Sequence, residues 1–154
     1  MMNRHAVAAL IAFAVAIPAT CTYAADNFAT AKEAEEMVGR AVKAISANSA
    51  ATLKEITAKD KKWVDRDLYA VVYDLNGKCL AHGQNEKQVG KDLLELVDAD
   101  GKEFVKERVS LAKAKGKFWQ DYKFTDPVTK KVLPKSAYCE KVGEMIACAG
   151  IYKR

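Results

Sequence analysis

The sequence has 154 residues, 25 basic and 20 acidic side chains, and a formal charge of +5. That is enough chain for one domain around one core, and a modest positive excess on a mixed surface does not argue for nucleic acid as a partner. Four cysteines and two histidines, with no C-x-x-C pair, remove the usual zinc-ribbon, c-type haem and dithiol redox signatures.

The N-terminus reads as a leader. Arg4 and His5 precede an unbroken apolar run, Ala6–Ile17, and small residues from Ala19 to Ala25 lead to Asp26. A basic start, a short apolar stretch and small residues before an acidic residue make a secretory signal peptide over residues 1–25, cleaved after Ala24 or Ala25. The run is too short to span a bilayer, which needs about 20 residues. Thr20 stands before Cys21 where lipoprotein signals usually carry Gly, Ala or Ser. One domain, residues 26–154, is expected in the periplasm, and no second apolar stretch is long enough to span a membrane. Export argues further against nucleic acid.

From Asp26 to about Asn48, Phe28, Ala31, Val38, Val42 and Ile45 recur at helical spacing, with Lys and Glu on the other face. Asn48-Ser49 breaks the pattern, and a short second helix is expected over about Ala50–Ala58. Leu68–Tyr73 is rich in strand formers. Asn76-Gly77 signals a hairpin, because both residues tolerate positive φ, and Lys78–His82 returns antiparallel. Gly83–Leu96 is irregular. Asp100 and Glu103 have capping-box spacing, so a helix is expected from there to Lys115, ended by Gly116. Strands follow at about Lys117–Thr125 and Val132–Lys141, joined through Asp126-Pro127, and a last strand at Met145–Tyr152 follows a tight turn at Gly143. Segregated helices and hairpin-connected strands predict an α+β domain with a five-stranded antiparallel sheet.

Three cysteines follow the leader. If Gly143-Glu144 form a two-residue loop, Cys139 lies opposite Cys148, and an oxidising compartment favours a disulfide between them. A bridge from Cys79 to either one competes, as does a reduced pair. His82 and Cys79 are three apart, so strand alternation sends them to opposite faces. With one histidine after the leader, a catalytic zinc site lacks ligands. Asp98-Ala99-Asp100-Gly101 resembles the start of a calcium loop but lacks the required glycine and glutamate further on. No G-x-S-x-G occurs, and a single histidine would have to serve any nucleophilic scheme.

The stretch GKFWQDYKFTDPVTKKVLPKSAYC, residues 116–139, is the richest in candidate chemistry. Phe118, Gln120, Tyr122 and Phe124 share one strand face, and Trp119, Asp121 and Lys123 the other. A half-buried sheet with a solvated Lys135 would account for it. The sharper reading makes Trp119 or Tyr122 a wall, with Lys135 and Tyr138 offering a cation and a hydroxyl to a carboxylate. Lys135 and Tyr138 are three apart, so a regular strand cannot turn both inward without a bulge or bend beside Pro134.

From Trp63 to Tyr152 the chain resembles the single Cache domain, type 2, a PAS-like extracytoplasmic sensor family. The segments that carry the resemblance are YAVVYDLNGKCLAHG, VGKDLLELVDADGKEFVKERV, GKFWQDYKFTDPVTKKVLPKSAYC and CAGIYKR, in that order. The resemblance implies a long N-terminal helix packed on an antiparallel PAS-like sheet, with the short second helix over a pocket. It implies binding of a small organic molecule, commonly a short carboxylate, without turnover or cofactor. By position, Tyr73, His82, Trp119, Tyr122, Lys135 and Tyr138 would line or close that pocket. Such domains usually sit between two membrane helices; here the sequence stops at Arg154, so the signalling partner is expected to be a separate membrane-bound receptor or kinase. Two readings of other classes stand beside this one: an interaction protein with no pocket beside Tyr122, and a small enzyme built around His82.

Overall fold

The computed structural model describes residues 28–154; the leader expected over residues 1–25 lies outside the described residues. The elements run α1 (Ala31–Thr57), β1 (Val64–Asp65), β2 (Leu68–Asp74), β3 (Cys79–His82), a 3-10 turn at Glu86–Gln88, α2 (Phe104–Lys115), β4 (Lys117–Thr125), β5 (Val132–Val142) and β6 (Met145–Tyr152). The sheet is antiparallel in the order β1-β2-β6-β5-β4, with β3 also paired to β2. The two-residue β1 is the strand that the sequence pattern did not signal.

α1 begins with a reciprocal cap. The Thr30 hydroxyl accepts from the Glu33 N–H at 3.3 Å, and the Glu33 carboxylate accepts from the Thr30 N–H at 2.7 Å. The two expected helices form one element with a break at Asn48, whose φ of −157° and ψ of 92° are extended. Asn48 restarts the helix: its side-chain oxygen accepts from the Ala51 N–H at 3.1 Å and its carbonyl from the Thr52 hydroxyl at 2.8 Å.

The start of α2 differs from the expected capping box. Glu103 occupies the cap position and makes no side-chain capping bond. Asp98 takes the local donors instead, accepting from the N–H groups of Asp100 and Lys102 through one oxygen and of Lys123 through the other. This ties the loop before α2 to β4, and the helix begins after it.

Alternation along the strands separates two buried faces. Leu68, Ala70 and Val72 of β2, with Ala81, Ala147 and Ala149, pack under Met37, Val38, Ala41 and Ile45 of α1. Small alanines on the sheet let the helix approach closely. Ile56 and Leu53 of the second helical segment belong to this same cluster, so that segment lies on the helix face and not over the opposite one. Tyr69, Val71 and Tyr73 point the other way, toward Phe104 and Val105 of α2.

Cys139 and Cys148 are cross-strand partners of β5 and β6 and are bonded to each other, while Cys79 is free and buried. The register of β2 and β3 shifts between Val72 and Tyr73, pairing Val71 with His82 and Tyr73 with Cys79. This bulge overturns the expectation that Cys79 and His82 face apart: one extra residue on β3 puts both on the α2 side.

Arg154 closes the domain. Its guanidinium donates at 2.9 Å to Asp67 and at 2.9 Å to Asp126, both with fully buried carboxylates, and lies 3.5 Å from the centre of the Phe28 ring. Asp67 also accepts from the Ala29 N–H at 2.7 Å. Removing the cation leaves two buried carboxylates without their ion pair, so Arg154→Ala should cost about 2–3 kcal/mol, read as a lower urea midpoint with an unchanged m-value.

Candidate ligand-binding site

The α2 side of the sheet encloses a chamber of about 10 Å³, room for about one water. Two basic side chains face it. Lys135 comes from β5, because Ala137 and Cys139 share its face and the strand is regular there. Arg108 comes from α2, at one helical turn from both Phe104 and Ala112 on the buried stripe. Lys135 is 3% exposed and Arg108 2%.

Arg108 is held by aromatic rings. Its guanidinium carbon lies 5.1 Å from the Tyr73 ring centre, 5.1 Å from Tyr122 and 5.4 Å from Phe104. Its Nε donates to Gln120 at 3.1 Å, and Gln120 in turn donates to the Phe104 carbonyl at 2.8 Å. Nη2 is buried and has no hydrogen-bond partner. No carboxylate comes within 4 Å of Arg108 or Lys135 among the described residues. A buried donor without an acceptor and a buried charge without a counter-ion are both costly.

Lys135 lies against Gly150 of β6. A methyl group at Gly150 would come within 2.8 Å of the Lys135 Cε and 2.8 Å of the Ser136 carbonyl oxygen, so the glycine makes room for the lysine stem. Its Nζ sits 4.0 Å from the centre of the Tyr69 ring and donates to Tyr69 Oη at 2.8 Å and Tyr152 Oη at 3.3 Å. Tyr152 donates to the Thr125 carbonyl at 2.8 Å. Burial, and next the nearby Arg108 charge, push the Lys135 pKa well below the usual lysine value.

His82 stacks on Tyr69, with ring centres 5.3 Å apart. Its Nδ1 accepts from the N–H groups of Gln84 and Asn85 at 3.1 Å each. Nδ1 is thus the acceptor nitrogen, and the neutral ring carries its proton on Nε2. Burial above all lowers the His82 pKa to about 3. Tyr69, His82 and Phe124 also border an outer cleft of about 410 Å³, which continues to Gln84, Gln88 and Lys130. These three rings stand between chamber and cleft.

Of the six residues singled out in the sequence, Tyr73, His82, Tyr122 and Lys135 line the chamber. Trp119 and Tyr138 do not. They are cross-strand partners on the α1 side, their rings 5.4 Å apart, and the Trp119 indole N–H donates to Glu35 of α1 at 3.2 Å. No bulge occurs in β5, so the alternation that separates Lys135 from Tyr138 is undisturbed. Arg108, Phe104, Tyr69 and Tyr152 were not anticipated. Arg108 left a readable trace, a lone arginine four residues from Phe104 and from Ala112 on the apolar stripe of α2.

The model of the family described as single Cache domain 2 matches residues 2–145. The chain belongs to the single Cache domain 2 family. Among solved structures, the Cache domain is similar to a methyl-accepting chemotaxis protein from Vibrio parahaemolyticus, at 22% identity and a TM-score of 0.67 over 79% of this chain and 86% of that one. It is similar to a Cache chemosensory domain described for carboxylic acid recognition, at 23% identity and a TM-score of 0.67 over 80% and 92%. A periplasmic sensor domain of a chemotaxis protein matches at 22% identity and a TM-score of 0.63 over 80% and 90%. At these identities the likeness is one of fold. No curated protein matches the sequence. No helix among the described residues is long and apolar enough to cross a membrane, and no cluster of metal-ligating side chains occurs among them.

Two outcomes follow from this geometry. The folded pKa of His82 lies below the unfolded one, so its contribution to stability is complete above about pH 6.5 and is lost as pH falls toward 3. Thermal unfolding followed from neutral pH to pH 5 should show a loss of about 2 kcal/mol from this group, and His82→Asn should flatten that part of the profile. Gly150→Ala should cost about 1–3 kcal/mol by overpacking and displace the Lys135 stem, measurable as a lower melting temperature and a shifted Lys135 side-chain resonance.

Proposed function

We propose that this Cache domain binds a small carboxylate in the chamber between Lys135 and Arg108 and acts as an extracytoplasmic sensor. The observation that carries the reading is a pair of buried basic side chains that share one chamber and form no ion pair with a carboxylate among the described residues, one of them, Arg108, with an unpartnered N–H. An anionic ligand would supply the missing counter-charge and the missing acceptor together. The His82 Nε2–H would add a neutral donor, and Tyr73 and Tyr122 would form the walls. A chamber with room for about one water favours a compact acid, admitted as the rings of Tyr69, His82 and Phe124 move toward the outer cleft. The fold shared with sensor domains of chemotaxis proteins and the cross-strand disulfide both support a role outside the cytoplasm.

Occupancy would be passed to a separate membrane-bound partner. Tyr152 touches Lys135 in the chamber, and two residues on Arg154 holds Asp67 and Asp126. Asp67 in turn holds the backbone that enters α1. A ligand that prefers one arrangement of this chain of contacts would shift the population of both ends.

A thermal-shift screen against short carboxylates, amino acids, amines and purines tests the reading. A ligand at about 100 times its dissociation constant stabilises by about 2.7 kcal/mol, a rise of several degrees for a domain of this size. Carboxylates should give the response. Lys135→Ala and Arg108→Gln should each weaken the best acid by about 100-fold; unchanged affinity in both variants would remove the chamber as the site.

A further inference from the structure

The hydrogen bonds around Lys135 are complete with two amine protons. Tyr152 gives its own proton to the Thr125 carbonyl at 2.8 Å, so toward the chamber its oxygen can only accept. Tyr69 Oη lies 3.1 Å from Tyr152 Oη and therefore donates to it. Lys135 Nζ reaches these two phenol oxygens at 2.8 Å and 3.3 Å. A neutral amine has two N–H groups and one lone pair; this arrangement uses both N–H groups and leaves the lone pair free. A third N–H, present only in the ammonium form, would be left for whatever occupies the chamber.

The charges around the amine do not favour the ammonium. Arg108 faces it from α2 as a like charge, and the neutral His82 faces it from β3. β4 contributes the rings of Tyr122 and Phe124, and β2 contributes Tyr69 and Tyr73. The two acidic groups that act on it, Asp67 and Asp126, are already engaged by Arg154 at 2.9 Å each. Burial accordingly holds the lysine toward its neutral form.

We propose that Lys135 is a neutral amine before ligand binds and an ammonium in the complex, so that the Cache domain takes up one proton from solvent with each carboxylate it binds. This rests on the carboxylate reading of the chamber and adds a pH dependence to it. The balance is simple: the carboxylate enters with its negative charge, one solvent proton adds to the Nζ lone pair, and the third N–H donates to a carboxylate oxygen. No other bond changes. Because binding and proton uptake are linked, affinity for the acid falls by about tenfold for each pH unit between the lysine pKa values of the free and bound states. Sensing would thus report the acid more strongly in an acidified medium than in an alkaline one.

The test is an NMR titration of the lysine side chains in the purified protein, followed by calorimetry. Lys135→Arg identifies the Lys135 resonance by its loss. The expected result is a neutral Lys135 at neutral pH, converted to ammonium by acetate, propionate or lactate. Calorimetry with the same acids, in buffers of differing ionisation enthalpy, should give uptake of one proton per acid bound. Lys135→Arg, charged throughout, should bind without proton uptake. A Lys135 that is already ammonium at neutral pH in the ligand-free protein, with acids bound and no proton taken up, would overturn the proposal and leave the carboxylate site standing. Proton uptake that persists in Lys135→Arg would also overturn it, by assigning the proton elsewhere. A neutral Lys135 that answers to none of the acids would sink the carboxylate reading itself. If Lys135→Arg does not fold, the wild-type titration and calorimetry decide the matter by themselves.

Discussion

Lys135 lies in an aromatic interior with no carboxylate close enough to neutralise it. A buried amine in such a place is tolerable only if its donors are satisfied and its stem has room, and the surrounding structure meets both conditions. Gly150 clears the space beside the stem, and Tyr69 and Tyr152 accept from the nitrogen. The carboxylates that could have paired with it are held by Arg154 instead. The buried acids thus pair with Arg154, and the buried bases Lys135 and Arg108 face the chamber.

The two faces of the sheet have separate tasks. The α1 face is alanine-rich and lets a long helix lie close to the strands. The α2 face is aromatic and carries Lys135, Arg108 and His82. Strand alternation keeps these functions apart, and the disulfide between β5 and β6 ties the strand that bears Lys135 to the strand that bears Gly150 and Tyr152. The bulge in β3 turns Cys79 to the same side as His82. The Asp98 clamp onto β4 has a related effect at the other wall. It ties the segment leading into α2 to the strand that carries Tyr122 and Gln120, and so helps place Arg108 above the sheet.

Much of this was legible in the linear sequence where the signal is local. The two helical stretches broken at Asn48, the β4–β6 meander and the Cys139–Cys148 alignment all rest on period, turn residues and pairing distance, which neighbouring residues carry. The capping box at Asp100 failed because Asp98, two residues earlier, competes for the same backbone donors and gains an extra one from β4, a strand distant in sequence. The separation of Lys135 from Tyr138 was readable from parity, and the unbroken register of β5 leaves Tyr138 and Trp119 against α1. Arg108 escaped notice because an arginine on a helix is normally solvated, although its place on the apolar stripe between Phe104 and Ala112 marked it.

By itself the sequence determined the α+β order of elements and the alternation of faces along the regular strands, because period and turn residues require no knowledge of distant neighbours; its resemblance to known segments pointed to the family. The tertiary structure alone decided which charges share a chamber. Lys135, Arg108, His82 and Tyr152 come from four different elements, and only their packing shows that two basic side chains face one space while Arg154 claims the acids. Electrostatic environment depends on distance through space and on the exclusion of water, and neither is encoded at any single position of the chain.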